Sequence, residues 1–310
     1  MPEIEVLSVN ISEKKGTIKK PVDAIKMNNK GVVGDAHAGS WNRQVSLLGA
    51  ESIEKFISQN GRVVTYGEFA ENITTRGMNL YESKPLDRFY SGQLILEVTQ
   101  IGKKCHGTSC TIFKEVGNCV MPTEGIFCRV ISPGKLQAGN KLEYIPKTYK
   151  ITVITISDRA YAGIYKDASG PESVRILKDF FGQKKLPIQI DGTIIPDAPM
   201  HINKIIRESV EDNVDIVVTT GGTGIGPRDF TYEVVKKLID KEIPGIMEII
   251  RLKFGADKPQ ALLSRSIAGI KNNTLIYAIP GSLNAVKEYL EEINKTILHT
   301  LYMLNGLDLH

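Results

Sequence analysis

Residues 215–231 read DIVVTTGGTGIGPRDFT. The run Asp215–Thr219 reads as a strand buried on both faces, and Thr231 opens a helix that reaches Lys241. Between them stand Gly221, Gly222, Gly224 and Gly226, four glycines within six residues. Glycine lets a backbone turn tightly and lets a ligand approach it closely. Successive free N–H groups in such a loop bind phosphate oxygens well. The pattern is neither GxxxxGK[ST] nor GxGxxG, so neither a Walker loop nor a dinucleotide fingerprint is supported. A tight turn before a helix and a phosphate cradle both remain open readings of this loop taken alone.

Outward from this loop, apolar strands alternate with helices. Strands are expected at Lys150–Ile156, Gln189–Ile195 and Thr274–Ile279. Helices are expected from about Pro171, with Val174, Leu177 and Phe181 on one face, and over His201–Glu211. One long last helix carries Val286, Leu290, Ile293, Ile297, Leu301 and Leu304 on one face and ends at Gly306. Such alternation implies a three-layer α/β unit with a mostly parallel sheet covered on both sides. Its strand C-termini then share one edge, where ligands bind. Three loops at that edge carry chemistry. Ser157–Asp158–Arg159 and Ile195–Pro196–Asp197 follow strands, and Pro280–Gly281–Ser282–Leu283–Asn284 enters the last helix. Singly, Asp197 and Asp229 read as helix-start residues and Ser282 as a cap. Together, two carboxylates and two glycine-bearing loops suit Mg²⁺ held by carboxylates plus substrate phosphates.

The segment KLQAGNKLEYIPKTYK at 135–150 marks a boundary, which assigns residues 1–147 to one domain and 148–310 to another. The first reads as a β-barrel with short helices. Strands are expected at Ile4–Ser12, Phe89–Gln100 and Phe127–Ile131, and a helix at Gly49–Gln59 with Ile53, Phe56 and Ile57 on one face. Two domains suit 310 residues of which 42% are hydrophobic.

A net charge of +4 makes no general case for nucleic acid. The N-terminus has no secretory pattern, and no apolar stretch reaches the roughly 18 residues of a membrane span. Cys105, Cys110, Cys119 and Cys128 form no CxxC pair, which argues against structural zinc. A cytoplasmic protein with reduced thiols is expected. Cys105, flanked by Lys103, Lys104 and His106, sits where a thiolate is favoured. The other three cysteines read as buried thiols.

The motifs TTGGTGxxPRDxT, SDR, IPD, LSR (Leu263–Ser264–Arg265) and PGxxNAVKE occur in order from about Lys150 to Leu304 and resemble the molybdopterin adenylyltransferase family. The resemblance implies a molybdopterin-binding fold, commonly trimeric, that transfers AMP from ATP to the terminal phosphate of molybdopterin. Asp197 and Asp229 would then be the catalytic pair associated with Mg²⁺. Gly221, Gly222, Thr223 and Gly224 would cradle phosphate or the pterin side chain. Pro280, Gly281, Ser282 and Asn284 would form the nucleotide-side loop. Ser157, Asp158, Arg228, Ser264 and Arg265 complete the expected substrate site. The product implies a molybdenum-insertion enzyme as partner.

In the first half, GDxHAGxWxRQVSLL (with Asp35, His37, Arg43 and Gln44), GEFAENITTRG (with Glu71 and Asn72), a strand-end cysteine and GIFCRVISPGKLQAGNKL resemble the MOSC domain. That resemblance implies a β-barrel handling molybdenum cofactor or sulfur, with Cys105 and His106 among its candidates. In isolation, His37 and His106 read equally well as surface or turn residues. A second functional class stays open for the whole chain: a carrier that binds molybdopterin or finished cofactor without turnover. The pair Asp197 and Asp229 favours the enzyme, because two carboxylates beside anionic phosphates repel them unless a cation intervenes.

Overall fold

Short strands build the first unit: β1 (Ile4–Ile11), β2 (Lys20–Val22), β3 (Ala24–Asn28), β4 (Gly31–Val32), β5 (Val45–Gly49), β6 (Ile73–Arg76), β7 (Arg88–Ser91), β8 (Leu94–Ile101), β9 (Ile126–Ser132), β10 (Gly134–Gln137) and β11 (Lys141–Ile145). Some alternate buried and exposed side chains as β3 does, and others, such as β5, are buried throughout. The computed structural model describes residues 3–104 and 119–307. Two compact units divide the chain, one comprising Met1–Lys147 together with Leu307–His310 and the other Thr148–Gly306.

The order β11-β7-β8-β9-β5-β6-β1 closes on itself through the β1–β11 pairing, Ile4 opposite Leu142, making a seven-stranded barrel with β2 appended to β1. Closure removes the sheet edges that would otherwise expose unpaired N–H and C=O groups. Ile4, Val6, Leu47, Ile73, Phe89, Leu96, Val98 and Ile126 fill the barrel and are fully buried. Each such side chain contributes roughly 1.5–3 kcal/mol by leaving water. Strands β5 and β6 are parallel and so need a crossover, which α1 (Ala50–Asn60) supplies. Its Ile53 and Phe56 face Leu48, Phe69 and Phe127, as its periodicity predicts. Gly61 ends it in the left-handed conformation, φ 65°. The single strand expected at Phe89–Gln100 is instead a hairpin: Ser91 pairs with Leu94, and Gly92 turns the chain at φ 57°.

The second unit runs β12 (Tyr149–Ile156), α2 (Asp158–Tyr161), α3 (Ser169–Gln183), β13 (Ile188–Ile195), α4 (Pro199–Glu211), β14 (Ile216–Thr220), α5 (Thr231–Leu238), β15 (Lys241–Glu242), α6 (Pro244–Gly255), β16 (Ile267–Lys271), β17 (Thr274–Ile279), α7 (Leu283–Asn294) and α8 (Ile297–Leu304). Its sheet has the order β13-β12-β14-β17-β16-β15. The first four strands are parallel. Strands β16 and β15 run antiparallel, so the sheet is mixed rather than parallel throughout. The cause is local: Lys271 pairs with Thr274 across a two-residue turn in which Asn272 takes φ 52°.

Ile154, Ile156, Val217, Ile276 and Ala278 pack on Ile202 and Ile206 of α4 and on Val234, Val235 and Leu238 of α5. Helices α3 and α7 pack together, α3 on β12 and β13 and α7 on β17. The last helix is broken after Asn294, although Ile293 and Ile297 are both buried and the apolar stripe continues across the break. The helix expected to reach Lys241 stops at Leu238, Ile239 turning extended ahead of β15, which pairs from Lys241. Among the described residues no helix is long and apolar enough to cross a membrane.

Candidate active site

Strands β12, β13, β14 and β17 deliver their C-terminal loops to one cleft of about 750 Å³. It is lined by Ser157, Asp158, Asp197, Gly221, Gly222, Thr223, Gly224, Arg228, Asp229, Ser264, Pro280, Gly281 and Ser282, all singled out in the sequence. The structure therefore gathers residues up to 125 positions apart, from 157 to 282, onto one surface.

The glycine loop owes its shape to two tight approaches. Gly221 has φ 110°, and a Cβ there would stand 2.3 Å from the carbonyl oxygen of Ile156. Gly222 has φ 62°, and a Cβ there would stand 2.3 Å from Thr231 Oγ1. Thr231 Oγ1 donates to the Gly221 carbonyl at 2.9 Å, and the Thr231 N–H donates to the Gly222 carbonyl at 3.0 Å. The loop is thus bound to the helix it enters.

Arg265 clamps it from behind. Its N–H donates to Thr223 O at 2.8 Å, its Nε to Gly224 O at 2.7 Å, and its Nη2 to Asp229 O at 2.7 Å, while Nη1 pairs with Glu233. Arg265 does not line the cleft, which corrects its place among substrate contacts: its donors are spent on loop carbonyls. Asn284 also lies outside the cleft lining, in the first turn of α7.

Neither acidic residue caps the helix that follows it. The N-cap of α4 is Ala198 and that of α5 is Phe230, and neither helix has a side-chain cap. Asp197 Oδ2 instead accepts the Asp158 N–H at 2.9 Å, and Asp229 Oδ2 accepts the Gly226 N–H at 2.8 Å. The Asp197 pKa is raised, first by burial and then by the negative charge of Asp229, with Arg159 acting in the opposite direction. The two carboxylates therefore sense each other electrostatically. Among the described residues no group of three or more His, Cys, Asp or Glu is placed to hold a metal ion. A cation here would need further ligands from a bound phosphate.

Ser157 caps α2, its Oγ accepting the Ala160 N–H at 3.3 Å, and lies 3.3 Å from the Tyr165 hydroxyl. Ser282 caps α7, its Oγ accepting the Ala285 N–H at 3.3 Å. Ser282→Ala is expected to cost about 1 kcal/mol. Thermal unfolding checks it: the melting temperature of the second unit should fall by about 2–4 °C, and no fall would remove the cap. Arg159 and Leu263, quoted in the SDR and LSR motifs without a role, also line the cleft, and sequence reading missed Tyr165, Ser169 and Gln260 there. The Arg159 guanidinium lies over the Tyr165 ring at 5.2 Å.

In the first unit, His37, Arg43 and Asn72 line a smaller cleft of about 250 Å³ with Trp41, Lys103 and Phe127. The Arg43 guanidinium sits 5.1 Å from the Trp41 ring centre. Asp35, Gln44 and Glu71 are buried behind this surface and do not line it, a correction to their place as ligand contacts. Asp35 is ion-paired with the buried Lys19. Burial opposes its charge, and hydrogen bonds with His37 and Lys19 outweigh that, holding its pKa well below the usual carboxylate range. Gln44 is structural: its Oε1 accepts the Val130 N–H at 2.8 Å, and its Nε2 donates to two carbonyls. Cys128 is buried in the barrel core, whereas Cys119 is only partly buried. Cys105, His106 and Cys110 lie outside the described residues.

Glu71 is fully buried, its Oε1 accepting from Gly67 N–H at 2.5 Å and Thr74 Oγ1 at 2.9 Å, while Oε2 has no partner among the described residues. Burial pushes its carboxyl from 4.5 up to about 7, against those hydrogen bonds. The folded state then keeps a proton that the unfolded chain has released. The resulting stability is fully present below pH 4.5 and is lost as pH rises through 7. Thermal unfolding of the wild type should weaken over that window, and Glu71→Gln should flatten the profile. Parallel profiles would contradict the assignment.

Residues 152–300 match the family described as "Probable molybdopterin binding domain", and residues 34–143 match the MOSC domain. The molybdopterin adenylyltransferase of Pyrococcus furiosus is 38% identical over 161 residues, covering 50% of this chain and 91% of that protein. Gephyrin of Dictyostelium discoideum is 38% identical over 162 residues, covering 50% of this chain, which spans only 22% of gephyrin's length. A solved structure of the tungsten cofactor synthesizing protein MoaB from Pyrococcus furiosus is 35% identical, covers 52% of this chain and 98% of its own, and has a TM-score of 0.45. The chain carries a MOSC domain in its first unit and belongs, through its second, to the molybdopterin-binding family that includes the molybdopterin adenylyltransferases.

Proposed function

We propose that the second unit transfers AMP from ATP to the terminal phosphate of molybdopterin with the help of Mg²⁺, releasing pyrophosphate. The observation that carries this reading is the meeting of Asp197, Asp229 and the glycine loop in one cleft. At neutral pH the attacking phosphate oxygen is already an anion, so no Ser–His base is required. The protein's task is alignment and charge neutralisation. Loop N–H groups at Gly222–Gly224 would donate to phosphate oxygens, and Gly281 lies close against Gly221, where an added Cβ would stand 3.2 Å from the Gly221 Cα. Burial first, and then the negative charge of Asp229, raise the Asp197 pKa, a repulsion that a divalent cation bound there would relieve. Bound Mg²⁺ would offset the negative charge of the phosphates, with Asp197 and Asp229 as its protein ligands.

The first unit would bind molybdenum cofactor in the cleft of His37, Arg43 and Asn72, or handle sulfur through Cys105. The adenylated product would pass to a molybdenum-insertion enzyme, from a trimeric form of this protein in the cytoplasm. Incubation with ATP, molybdopterin and Mg²⁺ tests the main reading. Pyrophosphate should appear in step with adenylated pterin; tight binding of both substrates without pyrophosphate would make the protein a carrier instead.

A further inference from the structure

Asp158 stands where the loops after β12, β13 and β14 meet. Its N–H donates to Asp197 Oδ2 at 2.9 Å, and its own Oδ1 accepts the Asp197 N–H at 2.9 Å. This reciprocal pair stitches two strand ends together. The remaining oxygen, Oδ2, is ion-paired with Nη2 of Arg228. Both oxygens of Asp158 are therefore engaged by protein. Asp197 Oδ1 remains near the glycine loop, 3.6 Å from where a Gly222 Cβ would sit.

We propose that Asp158 is a positioning residue that fixes the Asp197 carboxylate and holds Arg228 in reserve for the pyrophosphate end of the nucleotide. This rests on the AMP-transfer reading of the same cleft. The Arg228 side chain is 68% exposed and that of Asp158 33%. An ion pair so open to water is weak, because solvent screens it and two side chains must be held still. A polyphosphate offers the guanidinium a paired set of anionic oxygens and a stronger, geometrically matched contact. Arriving nucleotide thus displaces Asp158 from Arg228. The Asp158 contacts to Asp197 use other atoms, so Asp197 keeps its place during the exchange.

Calorimetric titration of the full-length protein with inorganic pyrophosphate and Mg²⁺ reads the exchange directly. Arg228→Ala should weaken pyrophosphate binding by about tenfold, the loss of one charge-assisted phosphate contact. Asp158→Asn keeps an acceptor for the Asp197 N–H but frees Arg228, so it should tighten binding by about two- to fivefold. That gain should vanish in the Asp158→Asn, Arg228→Ala double variant. Asp158→Ala keeps the main-chain N–H that Asp197 Oδ2 accepts but removes the acceptor of the Asp197 N–H. The Asp197 loop is then held by one bond instead of two, and the Mg²⁺ concentration for half-maximal AMP transfer should rise by about tenfold. Weaker pyrophosphate binding in Asp158→Asn, or a gain that persists without Arg228, overturns the proposal. So does an equal loss of melting temperature and binding in Asp158→Asn and Asp158→Ala, which marks a merely structural residue. Should the wild type transfer no AMP, the functional reading fails alone, and the pyrophosphate titrations still decide the exchange.

Discussion

Asp229→Asn is expected to slow AMP transfer on the order of 10²–10³-fold, the usual cost of losing one group that neutralises transition-state charge. The substitution is nearly isosteric, and the asparagine oxygen can still accept the Gly226 N–H that Asp229 Oδ2 accepts at 2.8 Å. Loop and fold should therefore persist, and the loss should fall on turnover rather than on melting temperature. A second readout is independent of activity. Because Asp229 helps to raise the Asp197 pKa, removing its charge should lower that pKa toward the ordinary aspartate value. Carbonyl-carbon NMR titration of Asp197 follows this directly. Unchanged transfer, or an unchanged Asp197 titration, would separate the two carboxylates.

Gly221→Ala should be the most damaging single methyl in the second unit. At φ 110° an L side chain is strained by about 1–3 kcal/mol before any contact is made. The added Cβ would also meet the Ile156 carbonyl at 2.3 Å, and that oxygen belongs to the end of β12, which parallel pairing on both sides holds in place. Strand and loop cannot both stay. A stability loss of about 3 kcal/mol or more is expected, with loss of nucleotide binding by whatever remains folded. Thermal unfolding and ATP titration check both halves of that expectation. A variant with wild-type melting and wild-type binding would mean that the glycine loop is shaped otherwise.

Much of the second unit was legible because its signals are local. Val217 and Ile276 sit in runs apolar enough to be buried from both sides, and Gly306 ends the last helix as its position suggests. The glycine loop and Asp197 were placed correctly at the sheet edge because each follows a strand directly. What escaped rests on pairing rather than on residue pattern. Helix α6 and strand β16 carry no strong period, and β16 is defined by pairing with β17 after Asn272 turns the chain. Strand β15 is only two residues long and exists through that neighbour.

The site divides the same way. Residue type alone made Asp197 and Asp229 equally good helix caps. A tertiary contact with Asp158 turns Asp197 away from that task, and a turn within its own loop, with Gly226, does so for Asp229. Arg265 and Gln44 were marked by the motifs they stand in, yet both spend donors on main-chain carbonyls. A buried clamp and a ligand contact look alike in sequence, because each needs the same hydrogen-bonding groups. Glu71 is similar: its type suggests chemistry, and its burial behind the cleft gives it a proton-linked structural role.

Crystals grown with Mn²⁺ and a non-hydrolysable ATP analogue offer the most direct test, since manganese takes oxygen ligands as magnesium does and scatters anomalously. An anomalous peak within bonding distance of carboxylate oxygens from both Asp197 and Asp229, and of the analogue's phosphates, is the predicted result. A peak held by neither carboxylate, with the nucleotide seated on the glycine loop, would contradict it.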